Sequence, residues 1–116
     1  MKVYYLSTCD TCTRILAEVD KSNLSSLQDI KTAPITLEQL EEMRSLTDSY
    51  ESLFSKRARK YKELDLKNKN LSEEDYKNYI LQEYTFLKRP VFINENNIFV
   101  GNSKKTVEAV KEELNK

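Results

Sequence analysis

Histidine and tryptophan are absent from this chain of 116 residues, and cysteine, glycine and proline are scarce. Without histidine, the chain lacks the usual general base, the usual zinc co-ligand and the side chain that titrates near neutral pH. Its two cysteines cannot complete a four-ligand zinc site from cysteine and histidine alone. We therefore expect no metal site and no histidine-based catalysis.

The formal net charge is zero, because 19 Lys and Arg residues balance 19 Asp and Glu residues. This balance gives no overall attraction to nucleic acid or to an anionic membrane. No apolar run approaches the roughly 18 residues of a membrane helix, and the short run at residues 3–6 does not resemble a signal peptide. We expect one domain in the cytoplasm, with no membrane or direct nucleic-acid partner.

The first half of the chain alternates between strand and helix patterns. Residues 2–6 are β-branched, aromatic and apolar, which predicts a strand, and a helical pattern starts at Asp10. A short second strand is expected within residues 24–30. Thr36 and Gln39 match a capping box, which predicts the start of the next helix.

The second half continues with helices and ends in a different pattern. A short helix is expected from Asp48 or Ser49, and another helix from Ser72, with a polar loop at residues 67–70 between them. Two apolar runs then flank an Asn-rich turn at residues 94–97, which predicts a β-hairpin. Ser103 is expected to cap the last helix.

The resulting order, β-α-β, several helices, then β-β-α, is that of an α/β protein with the thioredoxin-like fold, in which a helical insertion separates a βαβ unit from a ββα unit. We expect one domain over residues 1–116. Its core would comprise residues 1–33 and 84–116, and the helical insertion residues 34–83.

Cys9 and Cys12 form a Cys-x-x-Cys motif where the first strand passes into the first helix. The unpaired N–H groups and the dipole of a helix start favour a thiolate, so we expect the pKa of Cys9 to lie below its ordinary value. Cys12, three residues later, can act as the resolving thiol. The alternative is that both are small buried apolar residues.

Three arginines and a proline complete the set of candidate site residues. Pro90 stands where a thioredoxin fold carries a cis-proline facing the cysteines, although it could instead be an ordinary trans-proline that starts a strand. Arg89, Arg57 and Arg14 could hold an anion near Cys9, or each could be a solvated surface cation.

The sequence resembles the glutaredoxin-linked arsenate reductase family, the ArsC and Spx superfamily. The resemblance spans nearly the whole chain and rests on several segments together, namely YLSTCDTC at residues 5–12, DIKTAP at 29–34, LFSKRARKYKEL at 53–64, LKRPV at 87–91 and VG at 100–101.

By this resemblance, Cys9 matches the nucleophilic cysteine, Arg89 matches the arginine before the cis-proline, and Arg57 looks like the insertion arginine of the Spx-type branch. In the arsenate reductases, however, the insertion arginine stands where this chain has Ser55. A further arginine stands where it has Gly101. We therefore expect arsenate turnover to be weak or absent.

The main hypothesis is an arsenate reductase-like thiol oxidoreductase in which Cys9 attacks, Cys12 resolves, and Arg89, with Arg57, holds an anionic or thiol substrate. No bound cofactor is expected, and electrons would come from glutathione, glutaredoxin or thioredoxin. The second hypothesis, also implied by the resemblance, is a Spx-type regulator that binds RNA polymerase and uses the two cysteines as a redox switch. A third is a thioredoxin-like protein without activity.

Overall fold

The computed structural model describes residues 1–115. It contains four strands and five α-helices, joined by four short 3-10 helices. Their order is β1 (Lys2–Tyr5), α1 (Asp10–Ala17), β2 (Ser26–Asp29), α2 (Leu37–Ser45), α3 (Arg59–Glu63), α4 (Glu73–Gln82), β3 (Val91–Asn94), β4 (Asn97–Val100) and α5 (Lys104–Leu114).

The chain divides into two compact units, which are described separately. The sheet unit comprises Met1–Ala33 and the chain from Arg89 onward, and the helical unit is Pro34–Lys88. All four strands with α1 and α5 belong to the sheet unit. Helices α2, α3 and α4 belong to the helical unit.

The four strands form one sheet in the order β2-β1-β3-β4. β1 pairs in parallel with β2, and antiparallel with β3, which pairs antiparallel with β4. A parallel pair needs a crossover connection, and α1 provides it. This arrangement confirms the predicted fold: a βαβ unit, a helical insertion and a ββα unit.

The core of the sheet unit lies where α1 and α5 pack on the sheet. Val3 and Phe92 face each other across β1 and β3 and are fully buried. The apolar positions of both helices recur at helical spacing, so each helix buries one face. The buried cluster consists of Val3, Ile15, Leu16, Val19, Phe92, Val107 and Val110.

The helical unit contains two helices with capping boxes and an aromatic cluster. Thr36 and Ser72 each form a complete capping box at the start of α2 and α4, as the sequence predicts for Thr36. Phe54 is buried at the centre of the cluster, stacking on Phe86 at 4.9 Å between ring centroids and meeting Tyr76 edge-on at 4.9 Å. Such pairs add stability beyond their buried area.

Three local predictions differ from the structure in detail. The hairpin turn consists of two residues rather than four, because Asn94 and Asn97 pair with each other and Glu95 takes the left-handed conformation at φ 56°. The predicted helix from Asp48 or Ser49 is one 3-10 turn, Glu51–Leu53. Part of the predicted polar loop also forms a 3-10 turn, Leu66–Asn68.

Within residues 1–115, no helix has the length and apolarity needed to cross a membrane.

Candidate functional site

Cys9 sits at the junction between β1 and α1. Its N–H donates to the carbonyl of Leu6 at 3.0 Å, which closes a tight turn over residues 6–9. Cys9 is also the N-cap residue of α1, and its carbonyl accepts hydrogen bonds from the N–H of Thr13 at 3.1 Å and from its hydroxyl at 3.2 Å. The local fold therefore fixes the Cys9 backbone from both sides.

The surroundings of Cys9 favour its thiolate. Partial burial raises the pKa of Cys9, but hydrogen bonds from the Cys12 backbone, the Cys12 thiol and the Arg89 side chain lower it, as does the Arg89 charge. The lowering causes prevail, so the pKa lies below the ordinary value. Cys9 is half-buried, which leaves its sulfur within reach of another molecule.

Cys12 has the opposite character. It is fully buried one turn into α1. Burial raises the pKa of Cys12 to about 11, and the adjacent Cys9 sulfur adds to this rise. A backbone hydrogen bond from Leu6 lowers the pKa but does not offset these two causes. Cys12 is therefore a protonated thiol at neutral pH and donates a hydrogen bond to the Cys9 sulfur.

Arg89 and Pro90 lead into β3 beside the two cysteines. The Arg89–Pro90 peptide bond is cis, and Pro90 is buried. The Pro90 carbonyl accepts a hydrogen bond at 2.9 Å from the N–H of Gly101, just after β4. The segment is thus tied into the sheet, and from it the half-buried Arg89 side chain reaches the Cys9 sulfur.

The other two predicted arginines, Arg14 and Arg57, are both exposed. Arg14 is exposed on α1, and its charge acts on Glu18, whose pKa is lowered first by the hydrogen bond and charge of Lys111 and also by Arg14. Arg57 is exposed in the turn before α3, in the helical unit. The structure therefore brings Cys9, Cys12 and Arg89 into contact, with Pro90 next to Arg89 in the chain.

No pattern in the sequence points to Asp29, although this residue contacts the turn that carries Cys9. Its carboxylate accepts a hydrogen bond from the N–H of Ser7 at 3.3 Å. The signal in the sequence is weak, because the contact depends on the parallel pairing of β1 with β2.

Within residues 1–115, no group of three or more Cys, Asp or Glu side chains could hold a metal ion.

Comparisons with known proteins agree with this architecture. The sequence model of the ArsC family matches residues 4–110. The global transcriptional regulator Spx 1 of Oceanobacillus iheyensis is 24% identical over 101 residues, covering 85% of this chain and 77% of that protein.

Two solved structures are similar over almost their whole length. The arsenate reductase from Vibrio cholerae superposes with a TM-score of 0.75 at 17% identity, covering 97% of both chains. A Staphylococcus aureus protein superposes with a TM-score of 0.74 at 26% identity, covering 93% of this chain and 95% of its own.

Proposed function

The chain belongs to the ArsC family, and we propose that it is a thiol–disulfide oxidoreductase that uses Cys9 and Cys12. The observation that carries this proposal is the contrast between the two thiols. The pKa of Cys9 is lowered and that of Cys12 is raised to about 11, while the two sulfurs are hydrogen-bonded to each other. A nucleophile and a resolving thiol need this difference.

The proposed reaction has two steps. The Cys9 thiolate attacks one sulfur of a substrate disulfide, so that a mixed disulfide forms and the other substrate sulfur leaves as a thiolate. Cys12 then loses its proton to that leaving thiolate or to water and attacks the Cys9 sulfur, which releases the second substrate thiol. The substrate disulfide gains two electrons and two protons and becomes two thiols, and the protein loses them as its two thiols become a Cys9–Cys12 disulfide.

The return to the reduced state needs an external thiol. Glutathione, a glutaredoxin or a thioredoxin would supply the two electrons by exchange with the Cys9–Cys12 disulfide. Arg89 gives the site a positive charge next to the reactive sulfur. A guanidinium pairs well with carboxylates and oxyanions, so we propose an anionic substrate or an anionic thiol such as glutathione.

Trapping tests the proposal directly. Cys12→Ser leaves Cys9 without its resolving thiol, so mixed disulfides on Cys9 should accumulate and be recovered from a cell lysate under non-reducing conditions. The wild-type protein should instead show an intramolecular loss of two hydrogens after mild oxidation, restored by dithiothreitol. Cys9→Ser is the control and should trap nothing. Failure of the wild type to form the internal disulfide would refute the proposal.

A second candidate function is a redox-sensing regulator that binds RNA polymerase. It is favoured by the likeness to the global transcriptional regulator Spx 1. In that case the Cys9–Cys12 disulfide would be a switch rather than a catalytic intermediate. Affinity capture with the reduced and the oxidised protein distinguishes the two functions: redox-dependent recovery of polymerase subunits indicates the regulator, and recovery of oxidoreductases indicates the enzyme.

A further inference from the structure

We propose that Asp29 is a positioning residue for the Cys9 thiol and acts through the turn over residues 6–9. The inference rests on the thiol function proposed above, since it concerns the reactivity of the same sulfur. Asp29 binds the segment of chain that leads to Cys9.

The position of Asp29 follows from the sheet. In the parallel register of β1 and β2, Asp29 lies opposite Tyr5, the last residue of β1. The N–H of Ile30 donates to the Tyr5 carbonyl at 2.9 Å, so the two strand ends are locked together. The half-buried Asp29 side chain therefore stands beside the chain as it leaves β1 for Cys9.

The Asp29 carboxylate binds this departing chain. The same oxygen, Oδ1, accepts from the N–H of Ser7 at 3.3 Å and from the N–H of Lys31 at 3.2 Å. The Ser7 side chain also hydrogen-bonds to the carboxylate and is the main reason why the pKa of Asp29 is lowered. Asp29 is consequently ionised at neutral pH and is a strong acceptor.

The turn that Asp29 holds makes hydrogen bonds to both cysteines. The carbonyl of its first residue, Leu6, accepts a hydrogen bond from the N–H of Cys9 at 3.0 Å. The backbone of Leu6 also makes a hydrogen bond to the Cys12 sulfur. Its two middle residues, Ser7 and Thr8, are exposed, so apolar packing does little to hold them. Without the Asp29 anchor, we expect the Cys9 sulfur to spend less time against Arg89 and to be less often a thiolate.

The sign of the effect separates positioning from simple electrostatics. A carboxylate near a thiolate disfavours the thiolate by repulsion, so removing the charge alone would make Cys9 more reactive. Removing a positioning contact makes Cys9 less reactive. Asp29→Ala removes charge and contact together, whereas Asp29→Asn removes the charge and keeps an oxygen that accepts from Ser7.

The measurement is the rate at which iodoacetamide alkylates Cys9 in the reduced protein across a pH series, read by peptide mass. Asp29→Ala should slow the reaction at neutral pH by about threefold to tenfold, the value of one net hydrogen bond. It should also shift the pH profile to higher pH. Asp29→Asn should remain within about twofold of the wild type.

Asp20→Ala is the matched control. Asp20 accepts from the N–H of Ser22 at 3.0 Å and from its hydroxyl at 2.8 Å, so it makes a similar local contact in the sheet unit. It lies beyond the opposite end of α1 from Cys9, and α1 itself is about 12 Å long. Its loss should leave the alkylation profile of Cys9 unchanged.

Three results decide the inference. An unchanged or faster alkylation of Asp29→Ala overturns it, and so does a lower melting temperature with an unchanged pH profile. If Asp29→Ala does not fold, Asp29→Ser replaces it, because the shorter hydroxyl cannot reach both N–H groups; the same outcomes then apply. If Cys9 is alkylated more slowly in Asp29→Ala but the wild type forms no Cys9–Cys12 disulfide, the positioning role is supported and the redox function is refuted.

Discussion

At the scale of single residues, Arg89 combines a charge with a fixed position. Its side chain both hydrogen-bonds to the Cys9 sulfur and acts on it by its charge. The residue that follows it, Pro90, is buried and tied to Gly101 through a backbone hydrogen bond. Arg89 thus stands directly before a segment that is tied to the sheet, and its hydrogen bond and charge lower the pKa of Cys9 in addition to the two hydrogen bonds from Cys12.

Replacing Arg89 should reduce the reactivity of Cys9. With Arg89→Met, the hydrogen bond and the charge that lower the Cys9 pKa are lost, so we expect alkylation at neutral pH to slow by about tenfold. Arg89→Lys should be intermediate, because lysine keeps the charge and loses the planar fork. Alkylation rates from pH 5 to 10 measure the effect.

Arg14→Met is the control for Arg89→Met, because it removes an equal charge from an exposed position on α1. Its alkylation profile should match that of the wild type. Equal slowing in the two variants would mean that net charge, and not the Arg89 contact, sets the reactivity of Cys9.

At the scale of elements, the hairpin and the last helix are joined through one buried carboxylate. Glu113 on α5 is only 9% exposed. It accepts hydrogen bonds from the side-chain amides of Asn94 at 3.2 Å and Asn97 at 2.7 Å, the pair that closes the β3–β4 hairpin. Because a buried carboxylate needs partners, Glu113 depends on these two amides.

Glu113→Ala should therefore destabilise the protein more than an ordinary surface change. It removes two hydrogen bonds, of which the exposed Asn97 amide can replace its own with water, so we expect a loss of about 1–2 kcal/mol. Glu112→Ala, one residue earlier and exposed, should change the stability by no more than about 0.5 kcal/mol. Urea unfolding of the reduced proteins gives both values, and similar losses in the two variants would contradict the role of Glu113.

The elements also show how far the sequence predicts this structure. Capping boxes, helix periodicity and the hairpin pattern are local, and for that reason α2, α4 and the β3–β4 pair could be predicted closely. β2 was harder, since it has only four residues and none of them is buried. Its existence depends on pairing with β1, a contact that the local pattern does not reveal.

The candidate site likewise combines features that the sequence shows with features that depend on the fold. The spacing of Cys9 and Cys12 at a strand-to-helix junction is visible in the sequence, and their side chains do lie together. The burial that raises the pKa of Cys12 to about 11 arises from the packed sheet unit. The contact of Asp29 with Ser7 arises from the strand register. Neither can be derived from composition or spacing.

At the scale of the whole molecule, the two thiols should give the reduced protein an unusual dependence of stability on pH. An unfolded cysteine titrates near about 8.5. Cys9 has a lowered pKa in the folded state, so its contribution is present above that value and is lost as the pH falls through the folded pKa. Cys12 has a raised pKa, so its contribution is lost as the pH rises from about 8.5 toward 11.

The free energy of unfolding of the wild type, relative to Cys9→Ser, should therefore rise with pH up to about 8.5. Relative to Cys12→Ser it should fall between about pH 8.5 and 11, by an amount on the order of 1–3 kcal/mol. Urea unfolding in a phosphine reductant measures both differences. Parallel curves for all three proteins would show that the thiols have ordinary pKa values.

At the same scale, arsenate is the substrate that the likeness to arsenate reductases suggests. An arsenate oxyanion and the Cys9 thiolate repel each other unless cations stand between them. Arg89 supplies one such cation at Cys9. The two further positions expected from the resemblance hold Ser55 and Gly101, and Gly101 has φ 98°, a conformation that an arginine would adopt only under strain.

We therefore predict weak or absent arsenate turnover when glutathione, glutaredoxin and a reductase are supplied. Each charge-assisted contact to an anion contributes about 1.5–3 kcal/mol, so two missing contacts weaken capture by about 10² to 10⁴. NADPH consumption with arsenate as the varied substrate measures the rate, and reduction of a glutathione mixed disulfide in the same assay shows that the thiols are active. A rate that saturates with arsenate and disappears in Cys9→Ser would contradict the prediction and would mean that Arg89 and other cations hold the oxyanion without those two arginines.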